Sequence, residues 1–277
     1  MSEKIEADVV SHYETSDLLE RIDAALAAAG VDPAAPNTVD LKPVDEFHTG
    51  GLQATEHLLG SLDLDESTRL LDLGCGLGGT ARWIAENHAA QVTGIDLTPE
   101  YVAVARELTR RVGLQARFEV GSVVDLPFED GSFDVATMFH VGMNIEDKEV
   151  LFHEVARVLR PGGRVALFDV QRLGAGELIY PFPWAGEAGF SFVETPVRYR
   201  EAAAAAGLEL ELEQDRVDFT LEFFEHVLAR AGTGEAPPVG IHLLMGETAS
   251  QKIQNFARCV REGSLGPVEM IFTRPGR

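Results

Sequence analysis

The segment that most constrains this chain is Leu71-Asp72-Leu73-Gly74-Cys75-Gly76-Leu77-Gly78-Gly79. A short apolar run from Arg69 to Leu73 closes on a glycine-rich turn, and a helical pattern opens directly after it. Glycine lets the backbone take positive φ and lets a ligand come close. The helix start offers free N–H groups to an anionic group. Twenty residues beyond Gly76, Asp96 ends a second apolar run, Gln91-Val92-Thr93-Gly94-Ile95-Asp96. A carboxylate there can accept hydrogen bonds from both ribose hydroxyls of a nucleoside. The two features together describe an adenosine-type site at the carboxyl ends of the first two strands.

The rest of the chain repeats the strand–helix alternation. Pro99 opens a helix whose inner stripe is Tyr101, Val104, Ala105, Leu108 and Val112. Further strands are expected at 117–120, 133–139 and 164–170, with a helix over 149–159 stopped by a Pro161-Gly162-Gly163 turn. Before the glycine turn, helices cover 5–29 and 52–59, while 37–50 reads as loop. After 170 the pattern gives a helix at 197–206, an alternating strand at 208–218 and helices at 220–231 and 246–262. The intervening 232–240 reads as loop, and a final strand runs from Val268 to Thr273. Strands alternating with helices imply a parallel sheet covered on both faces. The fold class is therefore α/β, doubly wound and mostly parallel. The expected division is an N-terminal helical cap (1–54), a core (55–218), a lid insertion (219–266) and a last core strand (267–277).

Composition removes several function classes. A net charge of −22 repels a phosphate backbone, so nucleic acid is disfavoured as substrate. Two cysteines are too few for a disulfide framework or a four-ligand zinc site, and no metal is expected. The opening Met1-Ser2-Glu3-Lys4-Ile5-Glu6 has no apolar signal region, and no run reaches the roughly 20 apolar residues of a membrane span. The cytoplasm is the default location, with no membrane partner. The only lysines are Lys4, Lys42, Lys148 and Lys252. Such an acidic, lysine-poor surface fits either a high-salt habitat or a plain Ala- and Arg-rich composition.

A nicotinamide dehydrogenase would carry a similar turn, and three features speak against it. Asp72 would sit poorly beside a pyrophosphate and suits a cationic amino-acid moiety. The turn begins only after roughly 65 residues. The downstream segments Leu126-Pro127-Phe128-Glu129-Asp130-Gly131-Ser132-Phe133-Asp134 and Val158-Leu159-Arg160-Pro161-Gly162-Gly163 follow in order. This set resembles the class I S-adenosylmethionine-dependent methyltransferases over roughly residues 55–218 and the final strand. The resemblance implies a seven-stranded sheet with its last strand antiparallel and inserted at the edge, and S-adenosyl-L-methionine as cofactor. It places Asp72 and Gly74 near the methionine ammonium and carboxylate, with Cys75 beside them as a packing residue. Gly76 lets the cofactor approach, Asp96 holds the ribose and Leu97 flanks the adenine. Val123 packs on the adenine ring, and Phe139 lies at the end of the fourth strand. The family often has an acid where Ser122 stands, so this chain departs from the pattern at the adenine amino group.

The acceptor is a small molecule, and its site is less legible. His140, beyond the fourth strand, is the leading catalytic candidate. His48 and Tyr13 join it, because related enzymes fold such a preamble over the cofactor. Gly142 reads as tight backbone approach or a helix start, and Asn144 with Ile145-Glu146-Asp147 as a cap of the following helix. Tyr180, Phe182 and Trp184 are expected in a lid, and Arg172, Arg198 and Arg200 would bind an acceptor carboxylate. The layout of Asp8–Tyr13, Asp45–Gly51 and the lid is similar to sarcosine/dimethylglycine N-methyltransferases, implying a small amine acceptor and betaine synthesis. Carbon or oxygen methylation of an apolar terpenoid, sterol or quinone type is the alternative. A nicotinamide oxidoreductase and a non-catalytic binding protein remain as readings from other classes. A homodimer is left open.

Overall fold

The computed structural model describes residues 3–14, 17–231 and 237–276. Four helices precede the sheet: α1 (Glu3–Tyr13), α2 (Leu18–Ala28), α3 (Thr38–Asp45) and α4 (Leu52–Leu59). The core then alternates β1 (Arg69–Leu73), α5 (Gly79–His88), β2 (Gln91–Asp96), α6 (Pro99–Arg111), β3 (Arg117–Val120), β4 (Phe133–Phe139), α7 (Lys148–Val158) and β5 (Leu159–Arg172). After it come α8 (Pro196–Ala205), β6 (Glu209–Asp215), α9 (Val217–Ala231), α10 (His242–Met245), α11 (Ala249–Arg261) and β7 (Leu265–Thr273).

The seven strands form one sheet in the order β3-β2-β1-β4-β5-β7-β6. Strands β1 to β5 pair in parallel, and β7 runs antiparallel between β5 and β6. It therefore lies one place in from the edge, which β6 forms. Central strands such as β1 are buried almost throughout because helices cover both faces. The edge strand β6, Glu-Leu-Glu-Leu-Glu-Gln-Asp, is mostly exposed, and its charges discourage pairing with another sheet. Strand order reverses between β1 and β4, so the crevice beyond their carboxyl ends is where such a sheet holds ligands.

Two expected loops have structure. Residues 38–45 are helical despite Pro43, with the Asp40 carboxylate accepting a hydrogen bond from the Asn37 amide at 2.8 Å. The Pro161-Gly162-Gly163 turn lies inside β5, where the pairing with β4 shifts register between Phe133 and Val135. Part of the expected 232–240 loop falls outside the described residues. The preamble is bound into the body: Leu18, Ile22, Leu26, Leu41 and Val44 pack with Leu77, Tyr101, Leu108 and Leu244. Each such buried aliphatic side chain contributes about 1.5–3 kcal/mol, so this cluster fixes the helices over the glycine turn.

Candidate active site

Beyond the carboxyl ends of β1, β2 and β4 lies a cleft of about 960 Å³, open at its mouth. The twelve cofactor and catalytic candidates read from the sequence all line it: Asp72, Gly74, Cys75, Gly76, Asp96, Leu97, Ser122, Val123, Phe139, His140, His48 and Tyr13. The structure adds Asp45, Thr80, Thr98, Tyr101 and Asn144.

The glycine turn has the geometry its composition implies. Gly74, Gly76 and Gly78 have φ of +66°, +52° and +80°. A Cβ at Gly74 would strike Val141 at 2.4 Å, whereas a Cβ at Gly76 would meet no protein atom within 4 Å. Gly76 thus faces open space where a ligand can approach. Its amide donates to Asp96 Oδ2 at 2.8 Å, and the Thr98 amide donates to Asp96 Oδ1 at 2.9 Å. Each carboxylate oxygen keeps a lone pair for a hydroxyl donor. Burial raises the Asp96 carboxyl above its usual range, opposed by these amides.

Asp72 is buried and half satisfied. Its Oδ1 accepts from Thr137 Oγ1 at 2.8 Å, and its Oδ2 has no partner. Burial pushes the carboxyl up to about 7, with Thr137 opposing and the charge of Glu46 adding. Cys75 is buried, with its thiol raised well above the usual range by burial. A Cβ at Gly94 would meet it at 2.8 Å, so it is a packing residue. Tyr101 OH, Asn144 Oδ1, Asp45 Oδ1 and His140 Nε2 are further buried polar atoms without partners along the cleft. Orphaned polar atoms gathered around one cavity fit a polar ligand. Asp45, Asp72 and Asp96 line the cleft and no Lys or Arg does, among the described residues, which suits a cation and not a pyrophosphate. Asp45 itself pairs with the buried Arg82 at 2.6 Å.

Helix α1 crosses the mouth. Ser122 Oγ donates to Glu6 Oε1 at 2.7 Å, so the acid missing at position 122 arrives from α1. Tyr13 OH accepts from Asn144 Nδ2 at 3.1 Å, and His12 Nε2 lies 3.0 Å from the Pro183 carbonyl. Within the stretch expected to cap α7, Asp147 is the cap, accepting from the Val150 amide at 3.0 Å, and Asn144 turns to Tyr13 instead. Gly142 is a close approach: a Cβ would lie 2.1 Å from Asp169 Oδ2 and 2.2 Å from Tyr199 OH. His140 takes φ of +53°, a strained value for a side-chain-bearing residue, held by its amide bond to the Phe168 carbonyl at 2.8 Å. Its imidazole packs on Phe168 with ring centres 5.1 Å apart, and burial drives it well below the usual range.

A second chamber of about 540 Å³ adjoins the cleft. Phe47, Met143, Trp184, Phe223, Phe224 and Phe256 are among its walls, and Tyr13, Phe47, His48 and His140 line both spaces. Those four form the neck between them. Of the three expected lid aromatics only Trp184 reaches the chamber; Phe182 is buried behind it, stacked at 4.7 Å. The expected arginines are elsewhere. Arg172 donates to the Gly176 carbonyl, Arg198 pairs with Glu149, and Arg200 pairs with Glu213 at 2.7 Å. None lines the chamber, which corrects their reading as carboxylate ligands. Among the described residues no group of three or more His, Cys, Asp or Glu is placed to hold a metal ion, and no helix is long and apolar enough to cross a membrane.

Residues 71–167 match the family model described as a methyltransferase domain. That match identifies a methyltransferase domain over this stretch, and the orphaned Asp72 oxygen and the open face of Gly76 fit S-adenosylmethionine as its cofactor. The chain is 35% identical to methyltransferase GfsG of Streptomyces halstedii over 133 residues, 47% of this chain and 48% of that one. It is 31% identical to the glycine/sarcosine/dimethylglycine N-methyltransferase of Actinopolyspora halophila over 169 residues, 60% of this chain and 30% of that one. The chain thus spans less than half the length of these curated relatives in the matched stretch. By fold it is similar to the geranyl diphosphate C-methyltransferase from Streptomyces coelicolor (TM-score 0.70, 20% identity, 99% of each chain). It is also similar to the [4+2]-cyclase SpnF (TM-score 0.69, 22% identity, 94% of this chain and 95% of that one).

Proposed function

We propose that this protein transfers a methyl group to a small, uncharged, largely apolar acceptor bound in the aromatic chamber. The observation that carries the reading is the shared neck of Tyr13, Phe47, His48 and His140 between a polar, acid-lined cleft and an apolar room. Bound S-adenosylmethionine supplies an electrophilic methyl group on its sulfonium. The chain's part is to hold the ammonium at Asp72 and the ribose at Asp96, to align the acceptor at the neck and to exclude water. Helix α1 lines the cleft, and α9, α10 and α11 line the chamber.

A small amine such as sarcosine or dimethylglycine is the second reading. The Actinopolyspora relative favours it, and aromatic walls attract a methylated ammonium by about 0.5–2 kcal/mol each. Against it, no Lys or Arg lines the chamber among the described residues, so the acceptor carboxylate would be buried without a partner. The cyclase neighbour shows that this fold also hosts other chemistry. Incubation with methyl-labelled S-adenosylmethionine and three acceptors separates the readings: an apolar alcohol, an apolar amine and dimethylglycine. Label on an apolar acceptor is the expected result. Label on dimethylglycine alone would overturn the reading, and cofactor binding without transfer to any acceptor would speak for non-transfer chemistry.

A further inference from the structure

Glu46 is buried beside the neck at 4% exposure. Its Oε1 accepts from Lys42 Nζ at 2.8 Å, and its Oε2 accepts from Thr55 Oγ1 at 2.8 Å and lies 2.9 Å from His48 Nε2. Burial works to raise this carboxyl, but His48 and Lys42 overcome it and hold it at about 2. Its contacts with Lys42 and His48 therefore favour the anion. A buried carboxylate at that distance keeps the proton on Nε2 and leaves the lone pair of a neutral ring on Nδ1. The protein contact of Nδ1 is a long 3.3 Å approach to the Thr49 carbonyl, a group that only accepts. Once Nδ1 gains a proton, both ring N–H groups have an oxygen within reach.

Thr55 Oγ1 lies 3.2 Å from His48 Nε2, beside the Glu46 carboxylate. His140 lies with ring centres 6.0 Å away, Phe139 at 4.9 Å and Phe168 at 6.3 Å. Asp72 lies across the cleft, and Lys42 sits behind Glu46. His140 differs in kind: among the described residues its buried Nε2 has no partner and no carboxylate pairs with its ring, and burial works against a gained proton.

We propose that His48, with Glu46 as its positioning residue, accepts a proton from the acceptor at the neck, so that the acceptor is an apolar molecule bearing a hydroxyl and is methylated on oxygen. This rests on the function proposed above and narrows its substrate class. The acceptor O–H bond breaks and its proton moves to His48 Nδ1. The oxygen electron pair forms the new O–CH₃ bond while the S–CH₃ bond breaks, its pair remaining on sulfur as a neutral thioether. The imidazolium returns its proton to water after product leaves. A tertiary amine acceptor would need no such base.

The test uses Glu46→Gln and His48→Gln in the full chain, with an apolar phenol as acceptor and S-adenosylhomocysteine as cofactor probe. Turnover should fall by about 10²–10⁴-fold in His48→Gln. In Glu46→Gln it should fall by at least about tenfold at pH 7 and partly recover as the pH rises, because more of the phenol is then already ionised. Affinity for S-adenosylhomocysteine and for the phenol, read by Trp184 fluorescence, should stay within about threefold in both variants, the pattern of an interaction made only in the transition state. Nitrogen NMR of the ligand-free wild type should show the His48 ring proton on Nε2. Equal losses in binding and turnover, or wild-type turnover in either variant, would overturn the proposal and leave methyl transfer intact. A proton on Nδ1 with bare Nε2 in the wild type would overturn it even if neither variant folded. Absence of S-adenosylhomocysteine binding in the wild type would sink the underlying reading instead.

Discussion

Replacing Asp72 by Asn should have opposite effects on the ligand-free fold and on the cofactor complex. In the ligand-free protein the carboxyl sits at about 7, against 3.8 in a free chain. Three pH units at about 1.36 kcal/mol each make holding this charge buried cost on the order of 4 kcal/mol above pH 7. The sign follows from the raised value: the stability contributed by the protonated form is fully present below the unfolded value and is lost as pH rises through about 7. Asn is nearly isosteric, and its amide oxygen can keep the Thr137 hydrogen bond. Asp72→Asn should therefore raise ligand-free stability at pH 8 and leave it nearly unchanged at pH 4. The same substitution removes the charged partner proposed for the cofactor ammonium. Losing a hydrogen bond to a charged group costs about 1.5–3 kcal/mol, or roughly 10- to 150-fold in Kd. In the parent, affinity should also fall as pH drops below about 7, by up to about tenfold per unit, because Asp72 protonates while the ammonium does not. The variant should show no such slope. Denaturant unfolding at pH 4 and 8, with calorimetric titration of S-adenosylhomocysteine between pH 5.5 and 8, measures both sides. A variant that is less stable at pH 8 and binds as tightly as the parent would refute the reasoning.

Two other outcomes are expected. Asp96→Ala removes the acceptor of the Gly76 and Thr98 amides and the two ribose bonds proposed for it, so S-adenosylhomocysteine affinity should fall by about 1.5–3 kcal/mol; an unchanged Kd would remove the ribose from this position. Hydrogen exchange in residues 3–13 and 217–231 should slow when S-adenosylhomocysteine binds, because α1 crosses the cleft mouth and α9 carries the chamber walls Phe223 and Phe224; a response confined to residues 70–130 would mean these segments do not close.

What could be read from the sequence was what local signals encode. The strand ends at Leu73, Asp96 and Phe139 and the glycine turn follow from apolar runs and backbone freedom, and these bring the expected cofactor residues to one cleft. Helix α3 escaped detection because Pro43 interrupts it and its marker, Asp40 three residues after Asn37, is a weak capping signal. Glu46 was missed because its meaning depends on Thr55 and on the neck, neither visible in local pattern. The partnership of Glu6 with Ser122 spans 116 residues, and nothing local announces it. The arginines were misread for the converse reason: in an acidic chain each found a carboxylate or carbonyl near its own surface.

The central claim is that the acid-lined cleft between β1, β2 and β4 is a cofactor site opening through one neck onto an acceptor room. Calorimetric titration of the full chain with S-adenosylhomocysteine, repeated with the apolar phenol at saturation, tests it most directly. The account predicts one site per chain in both titrations, with the phenol quenching Trp184 fluorescence and failing to displace the nucleoside. No heat of binding from S-adenosylhomocysteine at millimolar concentration, or competition between the two ligands for a single site, would contradict it.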